Sequence, residues 1–442
     1  MVSYKALNTT PVFLSIMVLL LFCFCGKDES MDSSKGLVVE QQGTKDKVYK
    51  IYTAKGFAEF ADSMNFRNST SKSDINVVIM SDIDMSQLPN KESGGNWQPI
   101  ANKTPTTIRV EGNNHTIKGL KLRYIDGVYN YGLFEEAYIS NVKLENTDVN
   151  IVIPQNTNFT WFNVGTIIGK GSVSNCSAKS SSINCQVNSN NSYWGVNIGG
   201  MLGYGSANNC ISYVNITIKN NSTGNVYTGG IAGELNGYGN QSQLYTYGST
   251  NVEGNSIYAG GICGRDGEDN VLVYCSSESK IEVSSGNSYI GGLVGLSSSY
   301  IICSYSNGKL VGEQSHVGGL IGTSDYARLI CCYTDADIKG KWIGGLIGNV
   351  VISPPVELTC ASTTKFVDCG EWPSNMWENE REYTNNASKK SIYELLTSKQ
   401  ADNNIHDWYN GSIYPTGRGV CGKSKENCIW LYADNNLKLW WL

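Results

Sequence analysis

YIGGLVG (289–295), IICSYSNGKLVG (301–312), HVGGLIG (316–322), LICCYTDADIKG (329–340) and WIGGLIG (342–348) follow one another within sixty residues. The same phrase recurs three times there, and it can be traced backwards through most of the chain. Aligned on the first residue of each glycine pair, the sites are Tyr131, Gly165, Gly199, Gly229, Gly260, Gly291, Gly318 and Gly344, with separations of 34, 34, 30, 31, 31, 27 and 26 residues. Self-similarity at a period of about 20–50 residues marks a solenoid or a propeller. Within a repeat the apolar runs are short, rich in Val, Ile and Leu, and separated by Gly, Ser, Asn and Asp. None sustains a helical period, so each reads as a strand. The best repeat holds three such runs: IGGLVG, YIICSY and KLVG. Propeller blades run to about 40–50 residues, and these repeats are too short. The expected fold is all-β: a right-handed parallel β-helix, each strand pairing with its equivalents about 4.8 Å above and below.

Three columns follow from stacking equivalent positions. The first is aliphatic: Leu133, Ile167, Met201, Ile231, Ile262, Leu293, Leu320 and Leu346. Each coil buries its neighbour's face there. The second is cysteine: Cys176, Cys210, Cys275, Cys303, Cys332 and Cys360. These read as small buried residues inside a coil corner, because side chains one coil apart run parallel and a disulfide needs its own geometry. No zinc-type cysteine spacing is present. The third, two residues before the glycine pair, is Tyr129, Asn163, Asn197, Tyr227, Tyr258, Tyr289, His316 and Trp342. Simple alternation gives this column the parity of the core leucines, and hence burial, unless the glycine bend resets it. If exposed, Tyr227, Tyr258, Tyr289, His316 and Trp342 would offer a flat stripe for stacking on sugar rings.

The GG-L-V/I-G core, the Cys-Ser/Tyr segment after it and the 26–31 residue period resemble the GLUG-motif repeats of bacterial surface proteins. The approach, with DINVVIMSDIDMS, GGNWQPI and VEGNNHTIKGLKL leading to YNYGLFEE, is similar to the entry of adhesin-like surface lipoproteins of Bacteroidetes type. The resemblance covers about residues 47–365. It implies a β-helical fold and a cell-surface location, and it brings no catalytic residues.

At the start, PVFLSIMVLLLFCF (11–24) is too short to span a bilayer, which takes about 20 residues, and reads as a secretory h-region. Cys25-Gly-Lys-Asp-Glu resembles the acylated cysteine and charged export signal of such lipoproteins, with Cys23 as the alternative because Phe24 is bulky. The expected organisation is a lipoprotein signal (1–25), a disordered tether (26–46), an N-terminal cap and first coil (47–100), GLUG-like repeats (101–365) and a C-terminal cap (366–442). In the N-terminal cap, VYKIY is a strand and Thr53 caps a short helix with Phe57, Ala58, Phe60 and Ala61 on one side. In the C-terminal cap, SIYELLTSKQ opens with a capping box, and CIWLYADNNLKLWWL is expected as strands over the last coil. Cys421 and Cys428 bracket a polar loop and are the candidate disulfide in an oxidising exterior.

With 34 basic and 39 acidic residues the net charge is −5, without a basic cluster, which argues against nucleic acid as a partner. A polysaccharide or a host surface glycoprotein suits a surface rich in hydroxyls and amides. Parallel β-helices also carry polysaccharide lyases and glycoside hydrolases, and hydrolysis needs two carboxylates about 5–10 Å apart. The acids lie chiefly at bends. Asp266, Glu268 and Asp269 form the densest acidic turn, which reads first as a solvated loop and only second as a candidate for Ca²⁺. Asp82 and Asp84 are expected to order an early turn. His115, His316 and His406 have neither a nucleophile nor metal spacing beside them. No catalytic constellation and no cofactor is indicated. The sequence thus favours a non-enzymatic surface lipoprotein in adhesion or glycan contact, on the outer membrane through its lipid. A glycan-degrading enzyme and a passive stalk are the alternatives.

Overall fold

Residues 257–284 show one full turn. Ile257–Gly260 runs into the glycine corner and Cys263–Asp266 leaves it. Asn270–Val273, Ser276–Ser277 and Lys280–Ser284 complete the circuit before Tyr289–Gly291 begins the next. Each strand pairs in parallel with its equivalents, so that Tyr258 lies between Tyr227 and Tyr289, and Ile281 between Thr250 and Leu310. The protein is a parallel β-helix. The computed structural model describes residues 36–41, 47–65, 74–101, 107–189, 195–237, 239–268, 270–284, 286–351, 356–362, 381–385, 394–396, 430–433, 436–439 and 441–442. The strands that leave the glycine corner stack in an eleven-stranded sheet, and the other walls join in a 27-stranded sheet. Of the eleven, those from Ile75–Ile79 to Ile321–Ser324 come one per turn and define about nine turns.

Five strands form per turn where the sequence suggested three, because the glycine pair divides its run between two sheets and a second corner, at Cys303, divides YIICSY into Tyr300–Ile302 and Tyr305–Ser306. A Cβ on Gly260 would stand 2.0 Å from the Cys263 carbonyl oxygen, and one on Gly261 would stand 2.2 Å from that of Gly292. Backbone oxygens cannot retreat without breaking the ladder, so only glycine fits this corner. Just beyond it, the aliphatic column is fully formed. Leu133, Ile167, Met201, Ile231, Ile262, Leu293, Leu320 and Leu346 are all buried. Along it each backbone N–H donates to the next member's carbonyl at 2.8–2.9 Å.

A second corner is left-handed in seven successive turns. Asn141, Asn175, Asn209, Gln243, Tyr274, Cys303 and Cys331 occupy it with φ between 48° and 57°. Asn tolerates this region best among residues with a Cβ, which accounts for the first three. This corner corrects the cysteine column. Cys176, Cys210, Cys275, Cys332 and Cys360 do point into the main core, with Leu244 and Ser304 in the remaining turns. Cys303 instead sits one residue earlier, at the left-handed corner beside Tyr274 and Cys331, on the outer side of the wall. The column's thiols Cys176, Cys210, Cys275 and Cys332 donate to carbonyl oxygens in the turn before, at 3.3–3.8 Å. All nine described cysteines are buried thiols.

The N-terminal end is closed by the helix α1 (Ala54–Asn65). Thr53 Oγ1 accepts from the Gly56 N–H at 3.1 Å, the expected cap. The Phe57 ring lies 5.0 Å from Trp97 and 6.0 Å from Phe134, which seals the first turns' core. Leu37–Gln41, assigned above to a disordered tether, is a strand antiparallel to Lys47–Ile51. Its apolar run Leu37-Val38-Val39 finds a partner edge there. Asp82 and Asp84 order the early turn as expected. Asp82 accepts from the Thr116 N–H at 2.8 Å, and Asp84 from that of Ser86 at 3.0 Å.

At the other end, the strands Trp430–Ala433 and Asn436–Leu439 form an antiparallel pair. They lie against the outer side of the wall instead of over the last coil. Trp430, Leu437 and Leu439 cover Tyr305, Tyr333, Ile302 and Ile330 in a second apolar cluster, and Tyr333 Oη donates to the Leu437 carbonyl at 2.6 Å. Large apolar side chains on the outer face of these last turns explain the choice, since a lateral cover buries them. Glu394–Leu396 is helical; the rest of that predicted helix, with Cys421, Cys428, Cys23, Cys25 and His406, lies outside the described residues.

Candidate functional site

The third column is in register and outside the core. Between Val226, Ala259, Ile290 and Val317, which face inward, the alternate positions put Tyr227, Tyr258, Tyr289 and His316 outward. The glycine corner does reset the alternation. Tyr227 is buried, whereas Tyr258, Tyr289, His316 and Trp342 are half-buried. Ring centroids step along the axis by 5.0, 5.2, 5.3 and 4.3 Å, with interplanar angles of 14–19°. The rings are stacked on one another, so their π faces are occupied by neighbours. The flat sugar-stacking stripe is therefore not what the fold builds. Solvent meets a row of ring edges and phenol oxygens. Burial holds the His316 imidazole below its ordinary value, and pushes the Tyr258 phenol up to about 12.

Towards the N-terminus the ladder changes from rings to amides. Asn197 Nδ2 donates to Asn163 Oδ1 at 2.9 Å, and Asn163 Nδ2 to Asn130 Oδ1 at 2.8 Å. The member at the first turn is Asn130, not Tyr129, since Asn163 pairs with Asn130 and Val164 with Tyr131. The first glycine corner is one residue shorter than the others. Every bond in this amide chain runs the same way, so its open end is Asn197 Oδ1, a buried acceptor without a partner.

Beside the amides lies a groove of about 810 Å³, walled by Tyr129, Phe159 and Trp161 and carrying Lys170, Glu234 and Arg265. Its polar wall comes from the strands that leave the glycine corner. Glu136, Lys170, Tyr204, Glu234, Arg265, Leu296 and Thr323 are stacked there in register. Gly195 lets the Trp161 ring reach the ladder: a Cβ there would stand 2.5 Å from Trp161 Cζ3 and 2.9 Å from Tyr227 Cε2. Arg265 sits 5.8 Å over the Tyr227 ring and 3.9 Å from Glu234 Oε1. The Glu234 side chain is 6% exposed. Burial raises its pKa, with Arg265 and the side-chain amides of Asn236 and Asn197 pulling the other way. Among the groove's lining residues this is the single carboxyl, so a facing pair for general acid–base hydrolysis is not assembled there.

The acidic turn is not a calcium cage among the described residues. Asp266 points into the core. Its Oδ2 accepts from Ser297 Oγ at 2.8 Å and Ser299 Oγ at 2.6 Å, and its Oδ1 from the Ser298 N–H at 2.9 Å. Both oxygens are thereby engaged, away from Glu268 on the surface, and Asp269 lies outside the described residues. No group of three His, Cys, Asp or Glu that could hold a metal occurs among the described residues.

Sequence reasoning placed the ladder and missed the groove. Lys170, Tyr204, Glu234 and Arg265 share one position, each directly after the last glycine of its motif (Gly169, Gly203, Gly233, Gly264). That shared place was the available signal. Residue identity changes at every turn, so no repeated residue type announced it.

No family model matches this chain, and no curated protein matches it. Among solved structures, the crystal structure of a "putative immunoglobulin A1 protease" from Bacteroides ovatus matches with a TM-score of 0.42 and 22% identity, over 58% of this chain and 75% of that one.

Proposed function

We propose that this β-helix is a non-enzymatic surface lipoprotein that holds a polysaccharide, or the glycan of a host surface glycoprotein, along the column from Asn130 to Trp342. One observation carries this reading: eight side chains stand in register, five of them aromatic, with Tyr258, Tyr289, His316 and Trp342 half-exposed at their edges, beside a groove with aromatic walls. Rungs about 4.8 Å apart give a fixed, preorganised row of hydroxyls and ring edges. Such a row matches a ligand that itself repeats, and rigidity lowers the ordering cost of binding. The resemblance to GLUG repeat proteins points to display at the cell surface, with the acyl group on Cys25, or on Cys23, as the link to the outer membrane.

Glycan-array binding and polysaccharide turnover on one preparation test this reading. Binding that falls in Tyr258→Ala, Tyr289→Ala and Trp342→Ala, without turnover, is the expected result. Release of new reducing ends would make the protein an enzyme and refute the reading. Folded protein that binds no glycan would leave it a passive stalk. Mass spectrometry of the native chain reads out the acyl group.

A further inference from the structure

Away from the glycine corner, the outer side of the wall carries a second aromatic group. Three residues after Cys176, Cys210, Leu244 and Cys275 stand Lys179, Tyr213, Tyr247 and Glu278. The residues just before them, Ala178, Ser212, Thr246 and Ser277, are buried and in register, so these four face outward on rungs about 4.8 Å apart. Tyr245, two residues before Tyr247, faces the same way. Its later equivalents Tyr305 and Tyr333 lie beneath the Trp430 cover, whereas Tyr213 and Tyr245 are half-buried and Tyr247 is 55% exposed.

The Tyr213 ring meets Tyr245 at 73° and Tyr247 at 56°, with centroids 6.1 Å apart in both pairs. These rings are splayed, unlike the self-stacked ladder. At one end of the row the Lys179 ammonium rests over the Tyr213 ring, 5.6 Å from its centroid. A tyrosine face attracts cations, and the protein makes use of this itself. At the other end, one rung beyond Tyr247, stands the half-buried Glu278. It forms no ion pair among the described residues, and Lys280 beside it turns to Glu282 at 2.9 Å. Burial, and after it the charge of Glu278, push the Tyr245 phenol up, which places that carboxylate next to the ring cluster. We propose that Tyr247 and Glu278 seat one amino sugar, its ammonium on the Glu278 carboxylate and the C–H face of its ring on Tyr247.

The chemistry selects among ligands. A neutral sugar would cover the ring but leave the carboxylate without a counter-charge, and an acidic sugar would meet a like charge. A simple ammonium ion would leave Tyr247 uncovered. A lysine side chain carries its charge on a flexible stem that must be ordered, whereas a pyranose holds it on a rigid frame. The site lies on the strand Leu244–Thr246 and its exit, and the ladder of that turn on Val226–Gly229, so the two can hold separate stretches of glycan. This assignment rests on the glycan-binding reading above and names a charge class of sugar for it.

Titration calorimetry on the purified protein, at a pH that keeps the amines protonated, compares glucosamine oligosaccharides, the same oligosaccharides N-acetylated, and an oligolysine. The glucosamine oligosaccharides should bind, and N-acetylation, which removes the charge, should weaken binding about tenfold or more. Glu278→Gln should cost a similar factor and Tyr247→Ala about threefold or more. Tyr326→Ala, which removes another exposed tyrosine, should leave binding unchanged. Circular dichroism and the thermal midpoint of each variant separate lost binding from lost folding. Equal binding of the acetylated oligosaccharides overturns the role of the ammonium. Oligolysine bound as tightly, with the same dependence on Tyr247 and Glu278, overturns the sugar assignment in favour of a protein's lysine. Binding that needs Trp342 but neither Tyr247 nor Glu278 overturns this site and leaves the ladder reading standing, and so does binding of neutral glycans with none of glucosamine oligosaccharides. Folded protein that binds no saccharide at all ends both.

Discussion

Replacing Asp266 with Asn should reshape how stability depends on pH. The carboxyl is fully buried, and desolvation pushes its pKa from 3.8 to about 6 even though three serine groups donate to it. The folded protein therefore keeps this proton at pH values where the unfolded chain has released it. Stability falls as pH rises from about 4 through 6 and levels off above. A difference of about two pH units between the states corresponds to about 3 kcal/mol. Asn fits the same place. Its Oδ1 can accept from the Ser298 N–H, and its Nδ2 can donate to Ser297 and Ser299, whose hydroxyls rotate to accept. Urea unfolding at pH 4, 5, 6 and 7, followed by circular dichroism, should find the two proteins alike at pH 4. By pH 7, D266N should be ahead by about 3 kcal/mol. A constant difference across that range would refute the account, because it would show that Asp266 titrates alike in both states.

Leu293→Ala removes one rung of the aliphatic column and should cost about 2–5 kcal/mol, read as a lower urea midpoint. Gly261→Ala should be at least as damaging, since its Cβ would meet Gly292 O at 2.2 Å and Ser277 Oγ at 2.0 Å; Gly286→Ala, with open space around it, should leave the unfolding free energy within about 0.5 kcal/mol. The described thiols should resist iodoacetamide in the native state at pH 8, because burial removes access and pushes Cys185 and Cys275 up to about 12. Rapid alkylation of Cys275 without denaturant would contradict its place in the core.

The repeated glycine pair with its following aliphatic residue was enough, by itself, to determine the fold. A corner that excludes every Cβ admits only glycine, and a residue stacked on its own equivalent must be apolar to be buried. Such constraints recur turn after turn from Gly199–Gly200 onward, with Thr166 in the second glycine's place one turn earlier, and so leave a periodic trace. Thr53 as a helix cap and the inward cysteines were readable for the same local reasons. Which side of the wall the aromatic column takes was not readable, because the outcome hangs on how the backbone turns between Gly291 and Leu293. Nor was the mutual stacking that hides the ring faces, or the lateral cover by Trp430, which depends on contacts about a hundred residues apart in the chain. The groove is the clearest case. Trp161, Tyr204, Glu234 and Arg265 come from successive turns and differ in kind, so only their stacking in three dimensions makes them one site.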